Sequence, residues 1–551
     1  MAVLSLEQSE ERLLGIDFGT TNCVVSVYLD GEAHVIPIDG ANVFPTAVLF
    51  EVDPENEDKL ITTFGAEAKE ALAIYPESTV LSVKRKLGSG KKIDIEVAGN
   101  VYSFTPEEVS GEIFRYLREK AAEYMLTELD MPMEFLGCVI TVPANSTDKQ
   151  KKMTKEAAVL GGFDEGQVYL RLEPAAAAIS YALDETEDKN VLVYDFGGGT
   201  FDACVLKVEM DGAEPVISIL STYGENDLGG NDVDRIIMDM VYESFKEQTG
   251  GGIDLFDESG TPSQMRQKKV AIARLEQVAR LTKERLSAAK SAKITLAPFL
   301  QEPTIVNINM EITQEDFMNH KRVNRMGDTK EQFERYQGKN LKDMIDITLK
   351  CIDDCVAGAG LTTGIDEIFL VGGSSSLALV AEAIEAKFNK APIKSKISPA
   401  LSISMGAASY GNLILAPETV EGPRVKEKTI HPLGIEVAGR RFEEIIGAGI
   451  DIPKEGLTIE SETPFTTNFD HITSMAIVVY EDTAPAEDKS INRTGMKRLA
   501  GTSLRGIPKA AKGEEKVKIS FTVNQDNMLK VRAVSTSDGG VTTELAVDEL
   551  Y

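Results

Sequence analysis

Apolar residues fall along this chain in two rhythms. Up to about residue 417, short apolar runs that read as strands alternate with segments of helical period, and helices are predicted over 107–128, 149–160, 268–292 and 341–359. After that the period changes, and short strands are predicted over 434–437, 474–480, 517–523 and 529–534, separated by turn signals such as Asp526-Asn527 and Asp538-Gly539-Gly540. The first pattern predicts an α/β architecture; the second predicts a small all-β sandwich of about 120 residues. Between them, ETVEGPRVKEKT from Glu418 onward is polar, with one Pro and one Gly, and reads as a flexible connection. The expected domains are therefore 1–417, a linker at 418–430, and 431–551.

Inside the α/β part, apolar runs at 13–17 and 23–29 flank Gly19-Thr20-Thr21-Asn22, and runs at 191–195 and 203–208 flank Gly197-Gly198-Gly199-Thr200. Both read as β-hairpins with tips rich in Gly and Thr, and in both the first strand ends in Asp-Phe-Gly. Asp17 and Asp195 stand 178 positions apart, a spacing that suits duplication of a whole domain half. A third apolar strand, 368–371, runs into Gly372-Gly373-Ser374.

Composition narrows the function classes. The 58 basic and 88 acidic residues leave a formal charge of −30, which excludes an ordinary electrostatic nucleic-acid binder. The acidity is uneven: 41 basic and 68 acidic residues precede Arg424. No apolar run of about 18 residues and no basic, apolar leader occurs, so neither a membrane span nor a secretory signal is expected, and the cytoplasm is the expected location. The five cysteines have no framework spacing, which suits a reducing compartment. Cys351 and Cys355 lie four apart on a predicted helix without a nearby His, so buried thiols are expected there rather than a zinc site.

The hairpins are the candidate chemistry. Glycine lets backbone N–H groups approach phosphate closely, hydroxyls add donors, and Mg²⁺ requires carboxylates nearby. The two tips with Asp17, Asp195 and Asp202 supply all of these except a cation, which Lys84 or Arg85 can provide. One such hairpin is most simply a tight turn; two matching ones, each entered by Asp, point to phosphate. Asp-Phe-Gly also occurs in protein kinases, but the His-Arg-Asp loop and the Val-Ala-Ile-Lys strand are missing, so that reading fails.

Further motifs occur in order: Val142-Pro143-Ala144 before a basic helix, Leu172-Glu173-Pro174-Ala175-Ala176-Ala177, Asp227-Leu228-Gly229-Gly230-Asn231-Asp232, and Leu370-Val371-Gly372-Gly373-Ser374. With the hairpins they resemble the 70-kDa heat-shock chaperone family of the DnaK type. The β-rich tail is similar to the same family's peptide-binding sandwich, most clearly at Gly506-Ile507-Pro508 and 519–534. The resemblance spans about 12–544. It implies an actin-like, two-lobed nucleotide-binding domain holding ATP or ADP with Mg²⁺, coupled to a module that grips unfolded or extended hydrophobic peptides. It also implies a J-domain co-chaperone and a nucleotide-exchange factor as partners.

Carried over residue by residue, the resemblance implies phosphate loops at Gly19, Thr20, Thr21 and Asn22 and at Gly197, Gly198, Gly199 and Thr200. Asp17 and Asp195 would hold the magnesium's waters. Lys84 would position the γ-phosphate and the attacking water, with Glu173, Asp202 and Thr200 beside it, and Pro143 would be the hinge. Gly229, Gly230, Lys283, Ser287, Gly372, Gly373 and Ser374 would complete the nucleotide site. In the sandwich, Ile435, Phe465, Met475 and Ile477 would line a central pocket under an arch of Ala438 and Asn468. The plainer account of those apolar residues is that they are sandwich core.

Several positions depart from the family. Around the adenosine, Arg280 and Glu284 replace the usual residues while Lys283 and Ser287 agree, and Ser376 stands where an Arg stacks on adenine. Ala400 replaces an Asp near the domain's end, and Lys151 stands where an Arg usually follows the hinge proline. A missing guanidinium implies weaker or less base-selective binding. The linker lacks the family's leucine-rich run, and no helical lid is seen after the sandwich in this sequence, which implies fast peptide exchange. Two classes of function follow, an ATP-hydrolysing chaperone with slow turnover, or a nucleotide-binding scaffold or co-chaperone without turnover. An actin-like small-molecule kinase or filament former is disfavoured by the β-rich tail.

Overall fold

The computed structural model describes residues 12–144, 146–182, 186–212, 214–257, 259–393, 398–415, 424–453, 455–483, 487–536 and 541–546. Residues 418–423 of the expected linker and the turn at Asp538-Gly539-Gly540 lie outside these.

The duplication expected from the two hairpins is a duplication of sheets. In the first lobe, strand Leu13–Phe18 pairs antiparallel with Asn22–Leu29 and parallel with Gly137–Val142, which pairs parallel with Val168–Leu172. In the second lobe, Lys189–Phe196 pairs antiparallel with Phe201–Asp211 and parallel with Glu367–Val371. Both sheets are covered on two faces, so their central strands are buried along nearly every position and read as unbroken apolar runs. The two Asp residues are thus delivered to the same end of equivalent strands.

Helices start where side chains can cap them. Thr105, Thr147, Thr261 and Asn340 each accept a hydrogen bond from the backbone N–H three positions on and open Pro106–Leu129, Asp148–Leu160, Pro262–Leu286 and Leu341–Gly358. Three of these agree with the sequence expectation to within a residue or two. The fourth corrects it: the helix expected over 268–292 stops at Leu286, and strand Ser291–Leu300 begins with the alternating burial of a half-exposed hairpin.

The last helix of this domain, Ser402–Leu415, returns to the first lobe. It packs on strand Leu13–Phe18 and on helix Glu173–Ala182 so closely that no Cβ would fit at Gly406 against the Ala176 carbonyl. The Ser26 and Ser404 hydroxyls lie 2.8 Å apart at this junction.

The C-terminal part is a sandwich of two antiparallel sheets. One runs Arg441–Ile446, Leu433–Val437, Ser474–Asp482, Met496–Arg505, and the other Leu457–Glu460, Lys516–Val523, Leu529–Ser535, Thr542–Ala546. Strict alternation on Lys516–Val523 and Leu529–Ser535 turns Ile519, Phe521 and Val531 inward.

The linker differs from expectation. Arg424–Lys426 is a strand that extends the second lobe's sheet, pairing parallel with Val216, Ile217 and Ser218. Two basic residues flanking a single valine carry no strand signal of their own; the neighbouring strand's free backbone edge supplies the order. The sandwich docks on the first lobe through its Asn524–Leu529 turn. Asp526 accepts from the Leu170 N–H at 3.0 Å and pairs with Lys155 at 2.5 Å, the Leu529 N–H donates to Asp148 at 3.0 Å, and Lys151 donates to the Asn527 carbonyl at 2.8 Å.

Candidate functional site: the inter-lobe cleft

The tips of the two hairpins meet across the cleft. A Cβ on Gly198 would run into the Thr21 hydroxyl, and one on Gly199 would lie 2.5 Å from the Thr20 hydroxyl and 3.0 Å from Arg85 Nε. Glycine is therefore required for the approach itself. The Gly230 and Asn231 N–H groups donate to the Gly197 and Gly198 carbonyls at 2.9 Å each, which seats the start of helix Gly230–Gln248 on the second loop. Ser374, beside Gly230, also donates to the Gly197 carbonyl at 3.0 Å, and Gly372, at φ +80°, leaves room for Asp195 and the Phe196 carbonyl. Most of the expected nucleotide residues are thus gathered around one loop.

Lys84 leaves a short 3₁₀ turn, Val83–Lys86, and enters the cleft as a buried ammonium paired with Glu173. Asp17, Asp195 and Asp202 surround this pair. Asp17 accepts from the Thr141 hydroxyl at 3.3 Å; Asp202 accepts from the Ala144 N–H at 3.0 Å through one oxygen. One carboxylate oxygen of Asp195 and one of Asp202 are buried without a hydrogen-bond partner.

Four acidic groups against one lysine leave this pocket with surplus negative charge. Burial first, and the Glu173 charge second, push Asp17 and Asp202 up to about 7 and Asp195 well above the carboxylate range. For Lys84, burial works against the ammonium, but Glu173 and Asp17 outweigh it and its pKa rises. Unpartnered carboxylate oxygens and excess negative charge fit a divalent cation. Among the described residues no three of His, Cys, Asp and Glu converge enough to hold a metal alone. Such a cation would therefore share its coordination with phosphate oxygens and water, as Mg²⁺ characteristically does.

Arg85, the alternative cation, has a different place. It bonds to the Gly199 carbonyl at 2.5 Å and to Asp232 at 3.2 Å, bracing the second loop from outside. The structure also adds Asp234, paired with Lys283 at 2.8 Å, while Lys283 donates to the Gly230 carbonyl at 2.8 Å. Nothing in local sequence marks Asp234; its partner lies on another helix. Ser287 donates to the Lys283 carbonyl of its own helix, and Ser376 is exposed. Pro143 ends strand Gly137–Val142, directly before the Ala144 N–H that holds Asp202.

In the sandwich, Ile435 and Ile477 are buried core, Phe465 and Met475 are half-buried against that core, and Ala438 and Asn468 are exposed. All five cysteines are buried free thiols.

Comparison with known proteins agrees with this architecture. The family model described as Hsp70 protein matches residues 13–549. The chain is 32% identical over 542 residues to chaperone protein DnaK of Thermosipho melanesiensis, covering 97% of this chain and 80% of that one. The same identity and coverage hold for the DnaK proteins of Thermotoga petrophila and Thermotoga maritima. Two actin-like nucleotide-binding lobes followed by a β-sandwich define the class, that of the two-domain Hsp70-type chaperones. This chain belongs to the Hsp70 family, as a divergent member of the DnaK type.

Proposed function

We propose that this chain binds ATP and ADP with Mg²⁺ between the two glycine-rich hairpins, hydrolyses ATP slowly, and couples that cycle to the gripping of extended hydrophobic peptides from unfolded clients. The observation that carries the reading is the buried Lys84–Glu173 pair set among Asp17, Asp195 and Asp202 at the meeting point of the hairpins.

Phosphoryl transfer to water needs positioning and charge neutralisation more than covalent chemistry. Backbone N–H groups at Gly19–Thr21 and Gly197–Thr200 hold the phosphates. Lys84, kept charged and oriented by Glu173, faces the γ-phosphate and the attacking water. Asp202 has one oxygen engaged by Ala144 and the other free, so it can accept the water's proton near neutral pH. Mg²⁺, when bound, neutralises phosphate oxygens, with Asp17 and Asp195 as the residues that would hold its water shell. Pro143, adjacent to Ala144, is the hinge through which a change at Asp202 reaches the sandwich. Half-buried Phe465 and Met475, with exposed Ala438 and Asn468, are the peptide-facing residues, and Ile435 and Ile477 are the core beneath them rather than pocket lining. J-domain and exchange-factor partners, and a cytoplasmic location, belong to the same proposal; no helix among the described residues is long and apolar enough to cross a membrane.

The alternative, a nucleotide-binding scaffold or co-chaperone with little turnover, is favoured by exposed Ser376 in place of a stacking Arg and by Ala400. Steady-state phosphate release by the wild type and Lys84→Ala separates the two, because a chaperone ATPase loses activity in the variant whereas equal, negligible rates in both support the scaffold. Repeating the assay with a panel of extended hydrophobic peptides tests coupling.

A further inference from the structure

A second cavity of about 260 Å³ opens beside Thr20 and Thr21 of the first phosphate loop, between the two lobes. Its walls carry Lys69, Arg85 and Arg280 with Thr20, Thr21 and Asn231. In a domain with a large excess of acidic residues, this concentration of cations and donors is unusual.

The charges there are not equally free. Arg85 is committed to Asp232 and the Gly199 carbonyl, Arg235 to Asp328 at 2.7 Å, and Asp234 to Lys283 at 2.8 Å. Lys69 makes no hydrogen bond or ion pair among the described residues, and Arg280 has only Glu284 at 3.9 Å on its own helix. The remaining carboxylate on the wall, Glu276, is exposed. Burial first, and the Arg280 charge second, lower the Lys69 pKa to about 8. The Thr21 hydroxyl is buried without a partner. Two like charges from opposite lobes and an unused hydroxyl donor share one half-open space, with Asp234 and Glu276 also on its wall.

We infer that this cavity is an oxyanion site that takes a phosphate-sized group between Lys69 of helix Gly65–Ala71 and Arg280 of helix Pro262–Leu286, tying the two lobes together. Such an anion relieves the repulsion between the two cations, gives each a charge-assisted bond, and accepts from the Thr21 hydroxyl. Because Lys69 and Arg280 belong to different lobes, occupancy favours the closed cleft. The inference deepens the nucleotide reading and rests on it only for what the first phosphate loop holds. The phosphate is free inorganic phosphate, held apart from the nucleotide's own groups.

The test is calorimetric titration of the full chain with inorganic phosphate, with and without saturating ADP and Mg²⁺, for the wild type, Lys69→Gln and Lys69→Glu. Phosphate binding weakened about tenfold or more in both variants is expected, the scale of one lost charge-assisted bond. Lys69→Glu, which places a carboxylate opposite Arg280, should also raise the thermal midpoint in phosphate-free buffer. Phosphate that binds beside ADP upholds the site; phosphate that competes with ADP, together with variants that weaken ADP, marks the nucleotide's own site and overturns the inference. Equal phosphate and ADP affinities in all three proteins overturn it. If ADP fails to bind the wild type, the nucleotide reading falls, while a Lys69-dependent phosphate isotherm still upholds the cavity.

Discussion

Arg171 of the first lobe and Glu427 beyond the linker strand form an ion pair at 3.1 Å with each side chain only 3% exposed. The guanidinium also lies 3.5 Å from the centroid of the Tyr410 ring and donates to the Gln525 carbonyl at 3.1 Å. One arginine thus touches the nucleotide domain's last helix, the linker and the sandwich.

Removing one member of a buried pair leaves the other charged and unsolvated, a cost of about 3–5 kcal/mol. Arg171→Ala and Glu427→Ala should therefore release the sandwich from the lobe without unfolding either. Small-angle scattering should show a larger radius of gyration in both variants; an unchanged radius would mean that the pair does not hold the docked arrangement.

Lys84→Ala should lower single-turnover hydrolysis by about 10²–10³, the typical loss for one preorganised charge at a transition state. ADP binding should change far less, since the phosphate loops hold the ground state. Quenched-flow measurement alongside calorimetry distinguishes a lost chemical step from lost binding.

Ser376→Arg should restore a planar cation over the base. A gain of about 1 kcal/mol, roughly fivefold in affinity, is expected for ATP and ADP. Titrations with ATP, ADP and GTP check it; equal gains for ATP and GTP would show that the guanidinium adds charge rather than base recognition.

His431 gives a pH dependence. It follows the linker strand, and its ring meets Tyr223 of the second lobe edge to face at 6.2 Å. Burial lowers its pKa below the ordinary value of 6.5, against the opposing pull of Glu481 and Asp482 and with Lys497 adding to the decrease. The docked state therefore prefers the neutral ring. Its contribution is fully present above 6.5 and is lost as pH falls below that value towards the depressed one. Docking followed by scattering between pH 7.5 and 5.5, at roughly constant ionic strength, should weaken in acid, and His431→Gln should flatten the profile.

The cleft was legible because its parts are local. Each glycine-rich hairpin tip is a contiguous Gly-Thr turn between apolar runs, so Gly19 to Thr21 and Gly197 to Thr200 announce themselves. Four of the sandwich strands were legible through their short apolar runs, whereas Arg441–Ile446, Leu457–Glu460, Met496–Arg505 and Thr542–Ala546 were not. The docking surface was not. Asp526-Asn527 reads as a turn and is one, but its carboxylate caps the Leu170 N–H of a strand more than 350 positions away. The linker strand borrows its order from Val216 to Ser218, and Lys151, read from sequence only as a lysine in place of an arginine, is buried against the Asn527 carbonyl. The Lys69–Arg280 cavity is equally silent, because neither residue is unusual on its own helix.

The helix Ser402–Leu415 has a consequence for how the molecule is made. The first lobe begins at Leu13 but is closed by Gly406 against Ala176 and by Ser404 against Ser26. A growing chain thus exposes the apolar face of its earliest sheet until nearly 400 further residues have been added, roughly 20–80 s at ordinary synthesis rates. A chain of a chaperone family spends that interval at the ribosome as an incomplete fold, in need of the same protection that its relatives give to others.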